Sequence, residues 1–146
     1  MVHIIGDGEE KTKIEEKINE LNLKDNVILY GYKDKEFIRE KLNDISLYLM
    51  TSYEECFGLV LLEAAAFGIP AIAFSSAEGA TEIIKDDVSG YIINNRNKEE
   101  MKEKALELLN DKQKLALFGH DARLNAEDYS YDSVKEKWLS INYDIV

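Results

Sequence analysis

Short apolar runs alternate with longer helical stretches along most of the sequence. The runs are rich in β-branched or aromatic residues and almost continuously apolar, which is typical of strands buried on both faces of a parallel sheet. Between them, apolar residues such as Ile14, Ile18 and Leu21 fall on one helical stripe. This alternation predicts an α/β fold with a doubly wound parallel sheet of about five strands. The predicted strands are residues 2–5, 27–30, 45–50, 71–74 and 91–93.

Helices dominate after residue 97, so the sheet is expected to be followed by C-terminal helices. Asn97 with Glu100 three residues on predicts a capping box at the first of them. A length of 146 residues predicts a single domain over residues 1–146. The predicted helices are residues 9–21, 34–42, 58–67, 81–85, 98–109, 111–126 and 132–143.

Composition excludes several classes of partner. The net charge is −11, from 18 Lys and Arg against 29 Asp and Glu, and a negative surface repels nucleic acid and anionic lipid. The one cysteine, Cys56, allows neither an intrachain disulfide nor a cysteine metal site. No apolar run approaches the roughly 18 residues that a membrane span needs. We therefore expect a cytoplasmic protein that does not insert into a membrane.

The loop after the first predicted strand contains Gly6 and Gly8. It begins like a dinucleotide-binding fingerprint, but Lys11 stands where the third glycine belongs, and acidic residues such as Asp7 would repel a pyrophosphate. A tight turn is therefore favoured over an NAD site. The two glycines would still let a nucleotide lie close to the loop.

The segment after the third predicted strand carries the candidate chemistry. The helix over residues 58–67 is apolar on every side apart from Glu63, which predicts burial all round. A buried carboxylate costs several kcal/mol unless it is paired, so Glu63 predicts either a buried ion pair or a carboxylate that binds ligand hydroxyls. Glu55 lies just ahead of this helix. Between them, the amides of Phe57, Gly58 and Leu59 are expected to form an uncapped helix N-terminus suited to phosphate.

The spacing of Glu55 and Glu63, followed by Gly68-Ile69-Pro70, resembles the E-x7-E signature of glycosyltransferase family 4, the glycosyl transferases group 1 family. Residues 4–8, 27–31 and 78–91 resemble further segments of its C-terminal domain, in the same order. The resemblance implies a GT-B enzyme, in which two Rossmann-like domains hold a nucleotide-sugar and the C-terminal domain binds the donor. It also implies retaining (hexosyl) transfer to a saccharide or lipid-linked acceptor, commonly in bacterial polysaccharide or glycolipid assembly, without a metal or other cofactor.

The resemblance also assigns roles to residues. The catalytic carboxylate would be Glu55, which contacts the hydroxyls of the donor sugar, while Glu63 binds the ribose hydroxyls. The backbone near the helix start would contact phosphate and sugar, and two loops would lie near the nucleotide and its base. The implied donor-binding residues besides Glu63 are Phe57, Gly58, Leu59, Gly6, Gly8, Tyr32 and Lys33.

Two departures from the family pattern shape the expectations. Cys56 replaces the usual glycine. The family's first strand–helix unit, with its phosphate-neutralising Arg and Lys, and its N-terminal acceptor domain would both precede Met1. We therefore expect the donor half of an enzyme, with its own N-terminal domain as partner, inactive by itself and, at full length, peripheral at the inner face of the membrane. Because the absent strand is a central one, residues 2–5 are expected to pair directly with residues 45–50.

The alternative function is a non-catalytic receiver-like or flavodoxin-like signalling module of similar length. A receiver needs an aspartate at the end of its third strand and a lysine at the end of its fifth. Here the third ends at Met50-Thr51-Ser52 and the fifth at Asn94-Asn95. A receiver also has no use for Glu63 in an apolar helix, so the transferase is favoured.

Overall fold

A computed structural model describes residues 1–141. The backbone divides into two compact units, Met1–Asp44 and a larger one that begins at Ile45, and each is described by itself. All five predicted strands are present and every ladder is parallel, in two sheets with the orders β1-β2 and β3-β4-β5. The α/β class and the parallel strands are confirmed, whereas the single domain stays a prediction.

The first unit is a β-α-β-α segment. It contains β1 (Val2–Ile4), α1 (Lys11–Glu20), β2 (Val27–Leu29) and α2 (Lys35–Leu42), and Val2 pairs with Val27 in the ladder. Asp34 caps α2, since its carboxylate accepts a hydrogen bond from the Phe37 amide at 2.9 Å. No residue of Met1–Asp44 is fully buried, and of the stripe predicted on α1 only Ile18 is even half-buried.

The second unit contains the core. Its elements, in chain order, are β3 (Tyr48–Met50), α3 (Leu59–Ala66), β4 (Ala71–Phe74), α4 (Glu78–Ile83), β5 (Gly90–Ile93), a 3₁₀ turn (Asn94–Arg96), α5 (Lys98–Asn110), α6 (Lys112–Glu127) and α7 (Tyr131–Ser140). The C-terminal helices are thus confirmed, and Asn97 caps α5 by accepting from the Glu100 amide. The end of the last predicted helix, at residue 143, lies outside the described residues.

The central strand β4 is buried along its whole length and separates two apolar clusters. Its residues alternate between them, as the period of a strand requires. Ala71 and Ala73 join residues of α3 and α4, while Ile72 and Phe74 join residues of α5 and α6. Helices therefore cover both faces of this sheet, which is the doubly wound arrangement that the sequence predicts.

The predicted pairing of residues 2–5 with residues 45–50 is wrong. Among the described residues, β1 pairs only with β2, and β3 pairs only with β4. The prediction assumed that apolar residues on both faces would favour a direct ladder. Val2 and Leu49 instead remain 48% and 44% exposed, so only β4 meets the assumption of burial on both faces along its whole length.

Helices α3 and α6 approach each other at two glycines. Gly68 follows α3 with φ +72°, and a Cβ on Gly119 of α6 would collide with the Gly68 carbonyl oxygen. This contact is between backbones, so no side chain can move aside. The close approach packs α6 against the end of α3 and the start of β4.

We expect Gly119→Ala to lower the free energy of unfolding by about 1–3 kcal/mol, the usual cost of overpacking. Helix propensity alone predicts the opposite, a gain of about 1 kcal/mol for alanine inside a helix. Chemical denaturation measures the sign directly. Gly8→Ala is the control, because its Cβ would meet nothing within 4 Å. A stabilised Gly119→Ala variant would contradict the close approach.

Candidate functional site

The candidate site of the larger unit is the loop of residues 51–58, which follows the carboxyl end of β3 and leads into α3. Gly58 occupies the N-cap of α3 in the left-handed conformation, with φ +85°, which disfavours any residue with a Cβ. A Cβ here would also lie 3.2 Å from the Leu61 side chain and 3.5 Å from Cγ of Glu55. The helix start therefore requires glycine at this position.

Two hydrogen bonds fix Glu55, one donated from within the 51–58 loop and one from α4. Its Oε1 accepts from the Gly58 amide at 3.2 Å, and its backbone oxygen accepts from the Gly79 amide of α4 at 2.9 Å. The prediction of an uncapped helix N-terminus is thus wrong at Gly58, because a carboxylate three residues earlier already satisfies that amide. The amides of Leu59 and Val60, in the first turn, have no acceptor within the helix.

Glu63 is exposed, so the prediction that its helix is buried all round is wrong. One face of α3 packs on the core through Leu61, Ala64 and Ala65, while Leu59 on the opposite face is 66% exposed. An apolar sequence on every side does not bury a helix that has a neighbour on only one side. Among the described residues Glu63 has no ion pair, so the alternative of a buried salt bridge is not found either.

The hydroxyl of Tyr48 in β3 interacts electrostatically with both Glu55 and Glu63. Burial raises the pKa of the Tyr48 hydroxyl, and the negative charges of Glu63 and Glu55 raise this pKa further. Both carboxylates therefore lie within electrostatic range of one phenol. The sequence offers no signal for Tyr48, which stands as an ordinary aromatic residue in an apolar strand.

Gly79 of α4 packs against the backbone of the 51–58 loop. A Cβ at Gly79 would lie 2.5 Å from backbone atoms of Phe57, so α4 and the loop are in direct backbone contact. The Phe57 ring packs edge-on against Tyr129 at 5.9 Å between centroids. Sequence reasoning did not assign Gly79 to the site, although it lies in residues 78–91, one of the segments that resemble the family.

Arg96 is a third residue that sequence reasoning missed. It follows β5, and its guanidinium donates to the backbone oxygens of Thr51 and Ser52 at the start of the 51–58 loop. A single arginine in a polar turn gives no sequence signal, because its contacts lie more than forty residues away in the chain.

In the smaller unit, the loops after β1 and β2 lie side by side. The Gly6 amide donates to the Gly31 oxygen at 2.9 Å, and Gly6 itself has φ +143°. Asp7 accepts from Lys11 at 3.1 Å and from the Gly8 amide at 2.9 Å. Both bonds lower the pKa of Asp7, with the Lys11 bond the larger cause. The turn predicted from the glycines is therefore a carboxylate-bridged turn whose charge is partly balanced by Lys11.

Tyr32 and Lys33 follow Gly31 in the second of these loops. Tyr32 is 82% exposed, and the Lys33 ammonium lies 5.0 Å from the centre of the Phe37 ring. The structure thus brings Gly6, Tyr32 and Lys33 together at the carboxyl ends of β1 and β2. It groups Glu55, Phe57, Gly58 and Leu59 separately, in the larger unit.

Within the described residues, no group of three or more His, Cys, Asp or Glu is arranged to hold a metal ion. None of the helices there is long and apolar enough to cross a bilayer.

The sequence profile described as "Glycosyl transferases group 1" matches residues 1–125. The chain therefore belongs to this glycosyltransferase family. The assignment covers both units, including every predicted site residue. It does not favour the receiver-like alternative or an NAD-binding domain.

Curated relatives agree with this assignment. The chain is 39% identical over 140 residues to poly(ribitol-phosphate) alpha-N-acetylglucosaminyltransferase of Staphylococcus aureus, covering 95% of this chain and 28% of the relative. It is 34% identical to the amylovoran biosynthesis glycosyltransferase AmsD of Erwinia amylovora, covering 94% and 38%. It is 32% identical to poly(glycerol-phosphate) alpha-glucosyltransferase of Bacillus subtilis, covering 92% and 20%. The chain thus spans between a fifth and two fifths of the length of these relatives.

Solved structures share the fold. The crystal structure of TarM superimposes with a TM-score of 0.84 at 40% identity, covering 94% of this chain and 27% of that one. A pneumococcal O-GlcNAc transferase, GtfA, solved with UDP and GlcNAc, superimposes with a TM-score of 0.81 at 26% identity, covering 94% and 28%. The GT-B Rossmann-like class is thereby confirmed.

We expect Gly79→Ala to destabilise the protein by about 1–3 kcal/mol and to displace the 51–58 loop, since its Cβ would overlap the Phe57 backbone. Denaturation measures the first effect, and amide NMR shifts of Glu55 and Gly58 measure the second. Gly8→Ala should change neither. Unchanged amide shifts in a stable Gly79→Ala protein would show that α4 does not support the loop.

Proposed function

We propose that the chain is the nucleotide-sugar-binding part of a retaining glycosyltransferase that assembles a bacterial polysaccharide or teichoic acid. The observation that carries the proposal is the fixed position of Glu55 at the start of α3, with Glu63 exposed on that helix. Support comes from the relatives, two of which are named for transfer to polyol-phosphate polymers and one for amylovoran biosynthesis.

Glu55 is the carboxylate proposed to contact the donor sugar. The bond from Gly58 engages Oε1, and the bond from Gly79 anchors the backbone, so Oε2 is the atom suited to accept from a sugar hydroxyl. Hydrogen bonds to a carboxylate are charge-assisted and stronger than neutral ones. A side chain held in place before binding loses little entropy when it contacts the sugar.

The first turn of α3 is proposed to bind the diphosphate, and Glu63 the ribose. Glu63 is four residues after Leu59, so both lie on the exposed face of the helix. Side chains on a helix lean toward its N-terminus. The Glu63 carboxylate is therefore directed toward the first turn of α3, where the amides of Leu59 and Val60 have no acceptor. The helix dipole favours an anion at this end. Phosphate and ribose can thus be bound along one continuous surface.

The loops of the smaller unit are proposed to bind the nucleoside. Gly6 and Gly8 allow close approach of a ligand to the backbone, and neither would place a Cβ within 4 Å of another atom. The exposed ring of Tyr32 offers a stacking surface for a base. Lys33 supplies a positive charge in the same loop, where its ammonium lies over the Phe37 ring.

The names of two relatives support retention of the anomeric configuration. Two relatives are named as alpha-glycosyltransferases, and transfer from an α-linked nucleotide-sugar to an α-linked product retains the anomeric configuration. We further propose that the nucleotide-sugar is bound as a substrate without a metal or other cofactor. The N-terminal acceptor domain of the same enzyme is the proposed partner, and the cytoplasm, at the inner face of the membrane, is the proposed location.

UDP is the probe for testing this site, because TarM and GtfA were solved in complex with it. We expect Glu63→Gln to weaken UDP binding by about 1–3 kcal/mol, the scale of a lost charge-assisted hydrogen bond. NMR shift titration follows binding even at millimolar affinity. Glu103→Gln is the control, an exposed carboxylate on α5, which packs on the other face of β4. Equal UDP affinity of both variants would contradict the ribose role of Glu63.

We expect the 146-residue chain by itself to transfer no sugar and to bind UDP with at best about millimolar affinity. Catalysis requires donor, acceptor and charge-stabilising groups held together, and the chain spans only 28% of its Staphylococcus aureus relative. Incubation with a panel of UDP-sugars and a polyol-phosphate acceptor, followed by detection of released UDP, tests this. A rate of UDP release well above that in buffer alone would contradict the expectation that the chain by itself is inactive.

A further inference from the structure

Arg96 joins three backbone segments at the carboxyl ends of the larger unit's strands. Its Nη1 donates to the Ser52 oxygen at 2.8 Å and to Oγ of Ser76 at 2.9 Å, and its Nη2 donates to the Thr51 oxygen at 2.9 Å. Thr51 and Ser52 follow β3, Ser76 follows β4, and Arg96 follows β5. One side chain therefore connects the ends of all three strands.

Two aromatic rings hold the guanidinium in place. Its central carbon lies 3.7 Å from the centroid of the Tyr53 ring and 4.5 Å from that of the Phe74 ring. Cation–π contacts of this kind stabilise a partly desolvated arginine. Tyr53 belongs to the 51–58 loop and Phe74 to the core strand β4, so the arginine contacts both the loop and the rigid part of the fold.

The backbone that carries Arg96 is strained. Asn95 and Arg96 are consecutive residues with φ +53° and +51°, and the left-handed conformation costs about 1–2 kcal/mol for a residue with a Cβ. Asparagine tolerates this conformation, whereas arginine has no special tolerance for it. Strain of this kind persists where the surrounding contacts determine the conformation, and it clusters at functional sites.

We propose that Arg96 is a positioning residue that fixes the 51–58 loop in the conformation in which Glu55 and the start of α3 can bind the donor. The inference rests on the proposed function of that loop. Arg96 holds the first two residues of the loop, and Gly79 holds the backbone of Glu55. The loop is thus fixed at two points on either side of Tyr53 and Glu54, and Gly58 closes it onto α3.

Only an arginine can make this set of contacts. The guanidinium presents its N–H groups in a planar fork, so it reaches two carbonyl oxygens and a hydroxyl from one position. Lysine keeps the charge but carries a single ammonium, which cannot replace both Nη1 and Nη2. Arg96→Lys therefore separates the geometry of the fork from its charge.

Cys56 allows the loop to be observed directly. It is exposed and is the only cysteine of the chain, so a nitroxide spin label attached there reports the motion of the 51–58 loop by electron paramagnetic resonance. We expect Arg96→Lys and Arg96→Gly to narrow the spectrum, as a more mobile label does. Asn95→Gly is the matched control, because it relieves the neighbouring strained residue while keeping the arginine, and its spectrum should match that of the unaltered protein.

UDP titration of the unlabelled proteins provides the second measurement. We expect about tenfold weaker binding in Arg96→Lys, the equivalent of about 1.4 kcal/mol, and unchanged binding in Asn95→Gly. Circular dichroism identifies any variant that does not fold, and Arg96→Lys is the more conservative of the two. A narrowed spectrum with weaker UDP binding supports the proposal.

Two results would overturn the positioning role. One is an unchanged spectrum in Arg96→Lys, and the other is a mobile loop that binds UDP as well as before. If the unaltered protein binds no UDP, the proposed function fails and the donor role of Arg96 fails with it. The spin-label spectra would still show whether Arg96 holds the loop, so the two failures are distinguishable.

Discussion

Burial of β4 on both faces is the constraint on which the larger unit depends. Ala71 to Ala73 pair with strands on both sides, Phe74 pairs with β5 alone, and helices cover both faces of the strand. These contacts restrict movement of the β4 backbone. The close backbone contacts follow from this, since α3 and α6 meet at Gly68 and Gly119 near the start of the strand. Phe74, at the end of the strand, also provides one of the two aromatic rings that contact the Arg96 guanidinium. The rigid strand therefore provides the reference against which the 51–58 loop is placed.

The smaller unit is stabilised differently, because it lacks a buried core. It has no fully buried residue, and it is held together by half-buried apolar and aromatic side chains, one short ladder, a capped helix and polar bridges such as Asp7 with Lys11. Such interactions are individually weak in water. The two groups of site residues thus belong to units with unequal cores.

The sequence predicted local features well where a residue type has a strong preference for one kind of local structure. The apolar runs located all five strands, and Gly68 before Pro70 located the end of α3. It failed where the outcome depended on which neighbours were present. An apolar helix around Glu63 predicted burial, yet α3 has a packing partner on one face only. Strand pairing failed for the same reason, because periodicity describes a residue's environment and not its ladder partner. Gly79, Tyr48 and Arg96 act through contacts distant in the chain, which no local pattern contains.

The bond from the Gly58 amide to Glu55 has a consequence for selectivity. One amide at the helix start already donates to an internal anion, so only the amides of the first turn are open to an incoming one. The negative charge of Glu55 beside those amides opposes a free phosphate ion. On the proposed function, a ligand that carries sugar hydroxyls together with its phosphates would offset this repulsion, because a hydroxyl can donate to Oε2. The internal carboxylate would therefore disfavour simple anions and favour ligands that carry both groups.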